Sequence, residues 1–135
     1  MTSQGLPGAV VDTDIIIDHL RGHRRLSADP LLAYSTVTRC ELFTGTDDAA
    51  MVRTVLDALV EVDVDRRIAE SAGAIRRDHG LAVPDALVAA TALGLGIPLI
   101  TRNTRHFRRV PGLVVRPSLG PPDVVAALRA SRSGH

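Results

Sequence analysis

Short apolar segments alternate along the chain with longer segments in which apolar residues recur at helical spacing. The short segments are typical of buried strands, and the longer ones of amphipathic helices. Strands are predicted over Ala9–Val11, 31–35, 60–64, 98–101 and 113–115. Helices are predicted over Thr13–Leu20, 37–44, 48–59, 65–79, 85–95 and 122–130, with Asp65 capping the fourth and Gly80 ending it.

This alternation of strands and helices predicts an α/β fold. It indicates βαβ units with right-handed crossovers, and therefore a central, mainly parallel sheet of four or five short strands with helices on both faces. A length of 135 residues suits one compact domain. We expect a single domain over 1–135, with its core over about 9–130 and short flexible N- and C-terminal tails.

Acidic residues follow the first predicted strand directly. The stretch AVVDTDIIID ends its apolar run in Asp12 and Asp14, with Asp18 close behind. A carboxylate at the end of a buried strand is costly unless it is hydrogen-bonded, paired or bound to a metal. In parallel sheets ligands bind beyond the carboxyl ends of the strands, and segment 101–107 follows a later strand at that same edge.

Three further polar residues are expected at this edge. Glu41 lies on the helix after the second strand, Asp85 lies at a helix N-terminus, and Asn103 follows the strand over 98–101. Several carboxylates in one pocket repel one another and need a cation to stay ionised together. Oxygen ligands of this kind suit Mg²⁺, with Mn²⁺ as the alternative, and no His or Cys spacing indicates zinc.

Each of these residues also has an ordinary structural explanation when taken alone. Asp12 could cap the following helix, Asp14 could interact favourably with the helix dipole, and Asp85 could be an ordinary first-turn residue of its helix. Glu41 could be a surface side chain, and Asn103 a turn residue. The order and spacing of the set are harder to explain as independent coincidences.

Composition excludes several classes of protein. All 16 residues counted as Lys and Arg are Arg, so any mechanism that needs a catalytic lysine is excluded. That disfavours a haloacid-dehalogenase-like phosphatase, although VVDTDI fits its aspartate–x–aspartate opening, and it also disfavours a receiver domain and a P-loop protein. Aromatic residues make up only 2% of the chain, which argues against a base-stacking platform. The net charge of +1 indicates no particular partner.

Cys40 is the only cysteine, so no internal disulfide can form and a reducing cytoplasm is the expected location. We expect Cys40 to be a small core residue of its helix and Asp18 to be a solvated helix charge. The N-terminal segment has no charged region followed by a long apolar run, so no signal peptide is expected. No apolar run is long enough to span a bilayer, so no membrane partner is expected.

Three segments together resemble the PIN-domain ribonucleases, specifically the VapC-type toxins of bacterial toxin–antitoxin pairs. These segments are VVDTDIIIDHLRG, TRCELFTG and VPDALVAATALGLGIPLITRNTRHF, and the likeness runs over roughly residues 10–115. The resemblance implies a Mg²⁺-dependent endoribonuclease that leaves a 5′-phosphate. It also implies inhibition by a VapB-type antitoxin and a homodimer.

By this resemblance Asp12, Glu41 and Asp85 fall on the metal-binding acidic positions, and Glu41 is either a ligand or a base that orients water. Asn103 completes the predicted catalytic set, at a position where many PIN domains carry a fourth acid. Thr13 matches a hydroxyl-bearing position beside the first acid. Thr13 and Asp14 are predicted to contact the metal-binding side chains without binding the metal themselves. The absent fourth acid also leaves open a non-catalytic PIN-like RNA-binding or scaffold module.

Cations are expected to flank an acidic cleft that binds RNA. Arg102, Arg105 and His106 lie in the segment after the strand over 98–101, and the planar guanidinium of Arg suits phosphate oxygens. These three residues are the predicted RNA contacts. A second basic cluster over 21–25 is expected near the far edge of the sheet, as solvated surface.

Overall fold

The computed structural model of the chain describes residues 6–26 and 30–118. Five parallel strands form its central sheet. The strands are β1 Ala9–Val11, β2 Leu32–Ser35, β3 Val60–Val62, β4 Leu99–Ile100 and β5 Val115–Arg116. The helices are α1 Thr13–Leu20, α2 Thr36–Thr44, α3 Ala49–Asp57, α4 Arg66–His79, α5 Val83–Leu95 and α6 Thr104–Phe107.

The strand order is β3-β2-β1-β4-β5, so the direction of winding reverses at β1. From β1 the chain builds outward through β2 to β3, then returns to place β4 on the other side of β1. The backbone N–H of Asp12 donates to the carbonyl of Ile100 at 2.9 Å, which ties the ends of β1 and β4 together. A reversal of this kind opens a crevice at the carboxyl ends of the strands, where α/β proteins bind ligands.

Alternate residues of the strands feed two separate cores. Val10, Ala33 and Leu99 face one side, where they pack in a cluster with α4, α5 and Phe107 of α6. Ala9, Val11, Leu32, Tyr34 and Ile100 face the other side and pack with α1, α2 and α3. The predicted α/β fold, with a parallel sheet and helices on both faces, is confirmed.

The predicted signals at the ends of α4 are confirmed. The carboxylate of Asp65 accepts from the backbone N–H of Ile68 at 2.8 Å, which satisfies one free donor of the first turn. Gly80 ends the helix with a φ of 73°, a left-handed conformation that costs glycine least. The segment between β3 and α5 therefore forms one helix with a defined cap at each end.

Several local expectations differ from the structure. Segment 104–107 is a one-turn helix rather than a plain loop, and β5 overlaps the strand predicted over 113–115 only at Val115. Cys40 is exposed, not a core residue, because α2 buries Thr38 and Leu42 and a residue midway between them faces the opposite side. The helix predicted over 122–130 lies outside the described residues.

Across the described part of the chain, no helix has the length and apolar character needed to cross a membrane.

Candidate functional site

Asp12 lies at the centre of the carboxyl edge and both of its oxygens are hydrogen-bonded. Oδ1 accepts from the backbone N–H of Thr13 at 2.9 Å, and Oδ2 accepts from the hydroxyl of Thr101 at 2.9 Å. The residue is only 8% exposed. Burial raises the pKa of Asp12 to about 6, with further contributions from the repulsion of Asp14 and Asp85. Asp12 therefore caps α1 and also places a carboxylate with a raised pKa at the sheet edge.

Asp14 faces the segment that follows β4. Its Oδ2 accepts from the backbone N–H of Arg102 at 3.1 Å and lies 3.3 Å from the hydroxyl of Thr101. Its Oδ1 is buried and has no hydrogen-bond partner among the described residues. Burial raises the pKa of Asp14 as well, although the Arg102 backbone and guanidinium oppose the shift. A buried carboxylate oxygen without a donor is a place where a cation would be stabilising.

Asp18 is not the solvated helix charge that the sequence suggests. It is 8% exposed and pairs with the Nε of Arg102 at 3.4 Å and the Nε of Arg24 at 3.8 Å. Arg24 also donates from Nη1 to the carbonyl of Pro117 at 2.9 Å. The expectation of a remote basic cluster is therefore wrong for Arg24, because α1 is short enough for its C-terminal loop to reach the end of β5 and the carboxylate that Arg102 shares.

Glu41 reaches the site through a hydroxyl relay. The hydroxyl of Thr13 donates to Oε1 of Glu41 at 2.6 Å and lies 3.1 Å from the hydroxyl of Thr38. Thr13 is the residue whose backbone N–H also holds Asp12. The exposed Glu41 of α2 is thus coupled to the first turn of α1 by one side chain.

Asp85 lies in the first turn of α5 and is held by a histidine. The distance between its Oδ2 and Nε2 of His106 is 3.1 Å. On the other side of the ring, Nη2 of Arg109 lies 2.9 Å from Nδ1 of His106. Because a guanidinium can only donate, Nδ1 accepts and the ring proton lies on Nε2, the ring nitrogen beside Asp85.

Asn103 takes part in the site through its backbone N–H rather than through its side chain. Its N–H donates to the hydroxyl of Thr101 at 3.1 Å, and its side chain makes no capping hydrogen bond to α6. Thr101, which the sequence analysis missed, is therefore the hub that contacts Asp12, Asp14 and Asn103. A threonine placed directly after a buried strand of the same edge was the available signal for it.

The predicted acidic residues share one edge without forming a closed cage. Asp12 is coupled to Asp14 and Asp85 by charge, and Glu41 joins it through Thr13. Over residues 6–26 and 30–118, no three His, Cys, Asp or Glu side chains are close enough together to hold a metal ion as they stand. The donors are nevertheless all oxygens, and the repulsion at Asp12 and the orphaned oxygen of Asp14 fit a hard divalent cation.

Comparison with known proteins identifies the fold. The profile described as PIN domain matches residues 9–113. The chain belongs to the PIN-domain family. Ribonuclease VapC19 of Mycobacterium tuberculosis is 32% identical over 119 residues, covering 77% of this chain and 95% of that protein. The resemblance to VapC-type PIN domains predicted from the sequence is therefore confirmed.

Solved PIN-domain structures agree with this assignment. A toxin–antitoxin complex from Klebsiella pneumoniae matches with a TM-score of 0.69 and 36% identity, over 78% of this chain and 95% of that one. VapBC2 from Rickettsia felis, bound to a DNA fragment from its promoter, matches with a TM-score of 0.70 and 20% identity, over 80% of this chain and 96% of that one. At that lower identity the second match shows the shared PIN fold alone.

Proposed function

We propose that this PIN domain is a divalent-metal-dependent endoribonuclease and the toxin of a type II toxin–antitoxin pair. The proposed metal is Mg²⁺, with Mn²⁺ as a substitute, and the reaction is hydrolysis of an RNA phosphodiester that leaves a 5′-phosphate. The proposed location is the cytoplasm, where RNA and an antitoxin would be available. The similarity to Ribonuclease VapC19 supports this choice among the activities that an acidic edge could serve.

The raised pKa of Asp12 is the observation that most strongly supports the proposal. Asp12, at the reversal point of the sheet, has its pKa raised to about 6 by burial and by the nearby charges of Asp14 and Asp85. A protein gains nothing in stability from this arrangement, because it keeps a buried carboxylate close to its own repelling neighbours. Perturbed carboxylates of this kind are typical of functional sites, where a bound cation offsets the repulsion.

The roles of the side chains follow from their contacts. Asp12 and Asp85, with Glu41 as a third oxygen donor or as the group that orients water, would hold the metal. When bound, the ion would polarise the scissile phosphate and lower the pKa of a coordinated water. Thr13 and Thr101 hold the carboxylates of Glu41 and Asp12 in fixed directions. Asn103 lies beside Thr101, on the segment where the RNA backbone would enter.

Arg105 is the best-placed RNA contact of the three that were predicted. It is exposed on α6 and forms no ion pair with the residues the structure describes. Arg102, by contrast, already faces the carboxylates of Asp14 and Asp18 at 3.9 and 3.4 Å. A guanidinium free of internal carboxylates is the one that can bind phosphate without first losing a partner.

A VapB-type antitoxin is the proposed protein partner, and a homodimer the proposed assembly. The match to a toxin–antitoxin complex at 36% identity supports the first of these. The homodimer rests on the family resemblance. The antitoxin would silence cleavage by covering the acidic edge or by withdrawing one of its carboxylates from the metal.

A non-catalytic RNA-binding or scaffold module is the alternative, and two observations favour it. Asn103 replaces an acid, and in the described segments no three ligand side chains are gathered closely enough for a metal ion. Such a module would bind RNA at the same edge but would leave it intact.

Cleavage of total RNA by the purified, antitoxin-free chain separates the two. We expect fragments with 5′-phosphates in Mg²⁺ or Mn²⁺, none in EDTA, and none with Asp12→Asn. Asp57→Asn, which removes an exposed acid at the end of α3, is the matched control and should cleave like the wild type. Intact RNA with every divalent metal tested would establish the binding module instead.

A further inference from the structure

His106 lies between two charged side chains and uses both ring nitrogens there. We propose that His106 is a positioning residue for Asp85, and that Arg109 fixes the imidazole tautomer that makes this possible. The inference rests on the proposed metal-dependent function, because it concerns how one of the ligand carboxylates is oriented. It assigns His106 to the metal side of the site rather than to the RNA backbone.

The contacts leave neither ring nitrogen of His106 free. Nε2 lies 3.1 Å from Oδ2 of Asp85, and Nδ1 accepts from Nη2 of Arg109 across 2.9 Å. Arg109 also donates from Nε to the backbone carbonyl of His106 at 3.3 Å, so it grips the same residue at two points. A phosphate oxygen needs a donor, and both nitrogens of this ring are already committed.

Among the described residues, Arg109 contacts His106 and no acidic side chain. Within the described residues it forms no ion pair with an acidic side chain, so its guanidinium serves His106 alone. The ring itself is anchored by its neighbour Phe107, which is fully buried and meets it edge-on, with ring centroids 5.6 Å apart and planes at 78°. The ring nitrogen beside Asp85 is therefore positioned by packing against Phe107 as well as by the hydrogen bonds with Arg109.

The consequence concerns the two oxygens of Asp85. Oδ2 lies 3.1 Å from Nε2 of His106, and this contact limits the directions in which the carboxylate can turn. Hydrogen-bond partners that orient a ligating carboxylate typically change metal affinity by about 10- to 100-fold when they are removed. Without His106, Asp85 can rotate away from the edge that it shares with Asp12, since its side chain is 35% exposed.

Affinity for Mn²⁺, measured by calorimetry or by the EPR signal of the free ion, tests this without any turnover. His106→Leu should weaken Mn²⁺ binding by about 10-fold or more. His106→Gln, whose side-chain N–H can take the place of Nε2–H, should recover most of that loss. Arg109→Gln should give a smaller loss, and Arg108→Gln, which removes the same charge one position away, should bind Mn²⁺ like the wild type.

The tautomer has its own spectroscopic signature. Nitrogen-15 NMR of the wild type should show His106 protonated at Nε2 and unprotonated at Nδ1, and Arg109→Gln should lose this preference. A wild-type ring protonated at Nδ1 would overturn the inference. Circular dichroism and thermal unfolding of each variant establish that the affinities compare folded proteins.

The remaining outcomes separate this inference from the proposed function. Unchanged Mn²⁺ affinity in His106→Leu, in a wild type that binds Mn²⁺ and cleaves RNA, would overturn the inference alone. The same holds if His106→Leu weakens RNA binding in EDTA while Mn²⁺ affinity is unchanged, since His106 would then be an RNA contact. A wild type that neither binds Mn²⁺ nor cuts RNA would overturn the proposed function and the inference with it.

Discussion

Asp12 and Asp85 serve the same edge in opposite environments. Asp12 ends a central strand, is 8% exposed and has both oxygens hydrogen-bonded, whereas the side chain of Asp85 is 35% exposed and has one oxygen held by His106. The first carboxylate is fixed by the main chain and by Thr101. The second depends on the single side chain of His106. One proposed ligand is thus fixed by the fold itself, and the other depends on a side-chain contact that a mutation can remove.

The difference follows from where each residue enters the site. A residue between a buried strand and a helix has no room to rotate, and the loss of hydration makes its ionised form less stable. A residue in the first turn of a helix at the rim keeps its hydration, and its rotamer depends on the side chains that contact it. Mutations on the two sides of the site should therefore separate stability from activity in different ways.

Loss of cleavage in both carboxylate variants is the largest expected effect. Asp12→Asn and Asp85→Asn should each lower RNA hydrolysis by about 100-fold or more, because each removes charge from the proposed metal site. The measurement is the initial rate of RNA cleavage in Mg²⁺, with Asp57→Asn as control. Retained activity in Asp85→Asn alone would make Asp12 the only essential carboxylate of the pair and break the comparison.

The pH dependence of stability should come mainly from Asp12, whose pKa is raised further than that of Asp14. Its pKa is about 6 in the folded protein and 3.8 in the unfolded reference, so the stabilisation by protonation is complete below pH 3.8 and is lost as pH rises through 6. The shift corresponds to about 3 kcal/mol of unfolding free energy. In EDTA, Asp12→Asn should therefore be more stable than the wild type at pH 7.5.

Urea unfolding of the wild type and Asp12→Asn between pH 4.5 and 7.5 measures this difference. The two stabilities should converge toward the acidic end of the range and diverge as pH rises. Added Mn²⁺ should stabilise the wild type at pH 7.5 and leave Asp12→Asn little changed, since a cation favours the ionised carboxylate. Parallel pH curves for the two proteins would show that burial at the end of β1 does not perturb Asp12.

Thr101→Val should show how much the buried side depends on one hydroxyl. The change removes the donor to Asp12 and the acceptor for the N–H of Asn103, at a residue that is fully buried. We expect a loss of about 2 kcal/mol in unfolding free energy at pH 7.5. The control is Thr91→Val, at a buried threonine of α5 whose hydroxyl donates to the carbonyl of Leu87 in the same helix. Equal losses in both variants would mean that the hydroxyl of Thr101 plays no special part at the site.

The smallest effect is expected in RNA binding by the two arginines that flank the site. Arg105→Gln should reduce the salt dependence of RNA binding, with the slope falling by about 0.7 for one lost phosphate contact. Arg102→Gln should leave that slope nearly unchanged, because its guanidinium faces Asp14 and Asp18. Fluorescence anisotropy with a short RNA in EDTA, over a range of salt, measures both. A fall of the same size in Arg102→Gln would place RNA on the Asp12 side as well.

The sequence predicted the architecture well because the architecture depends on local patterns. Alternating short apolar runs and helical repeats specify strands and helices, and the cap at Asp65 and the glycine at 80 bound one of them. The one-turn helix over 104–107 was missed because four residues carry too little periodicity to be distinguished from a loop. Cys40 and Asp18 were misplaced because burial depends on which neighbour covers a helix face.

By itself the sequence determined the order of the elements, the parallel sheet, and the placement of Asp12 and the 101–107 segment at one edge. Only the tertiary structure decided the partners: Thr101 with Asp12, Arg102 with Asp14 and Asp18, and His106 with Asp85. Strand and helix formation is governed by residues close together in the chain. Side-chain pairing across tens of residues depends on directions and distances that exist only once the sheet has closed around β1.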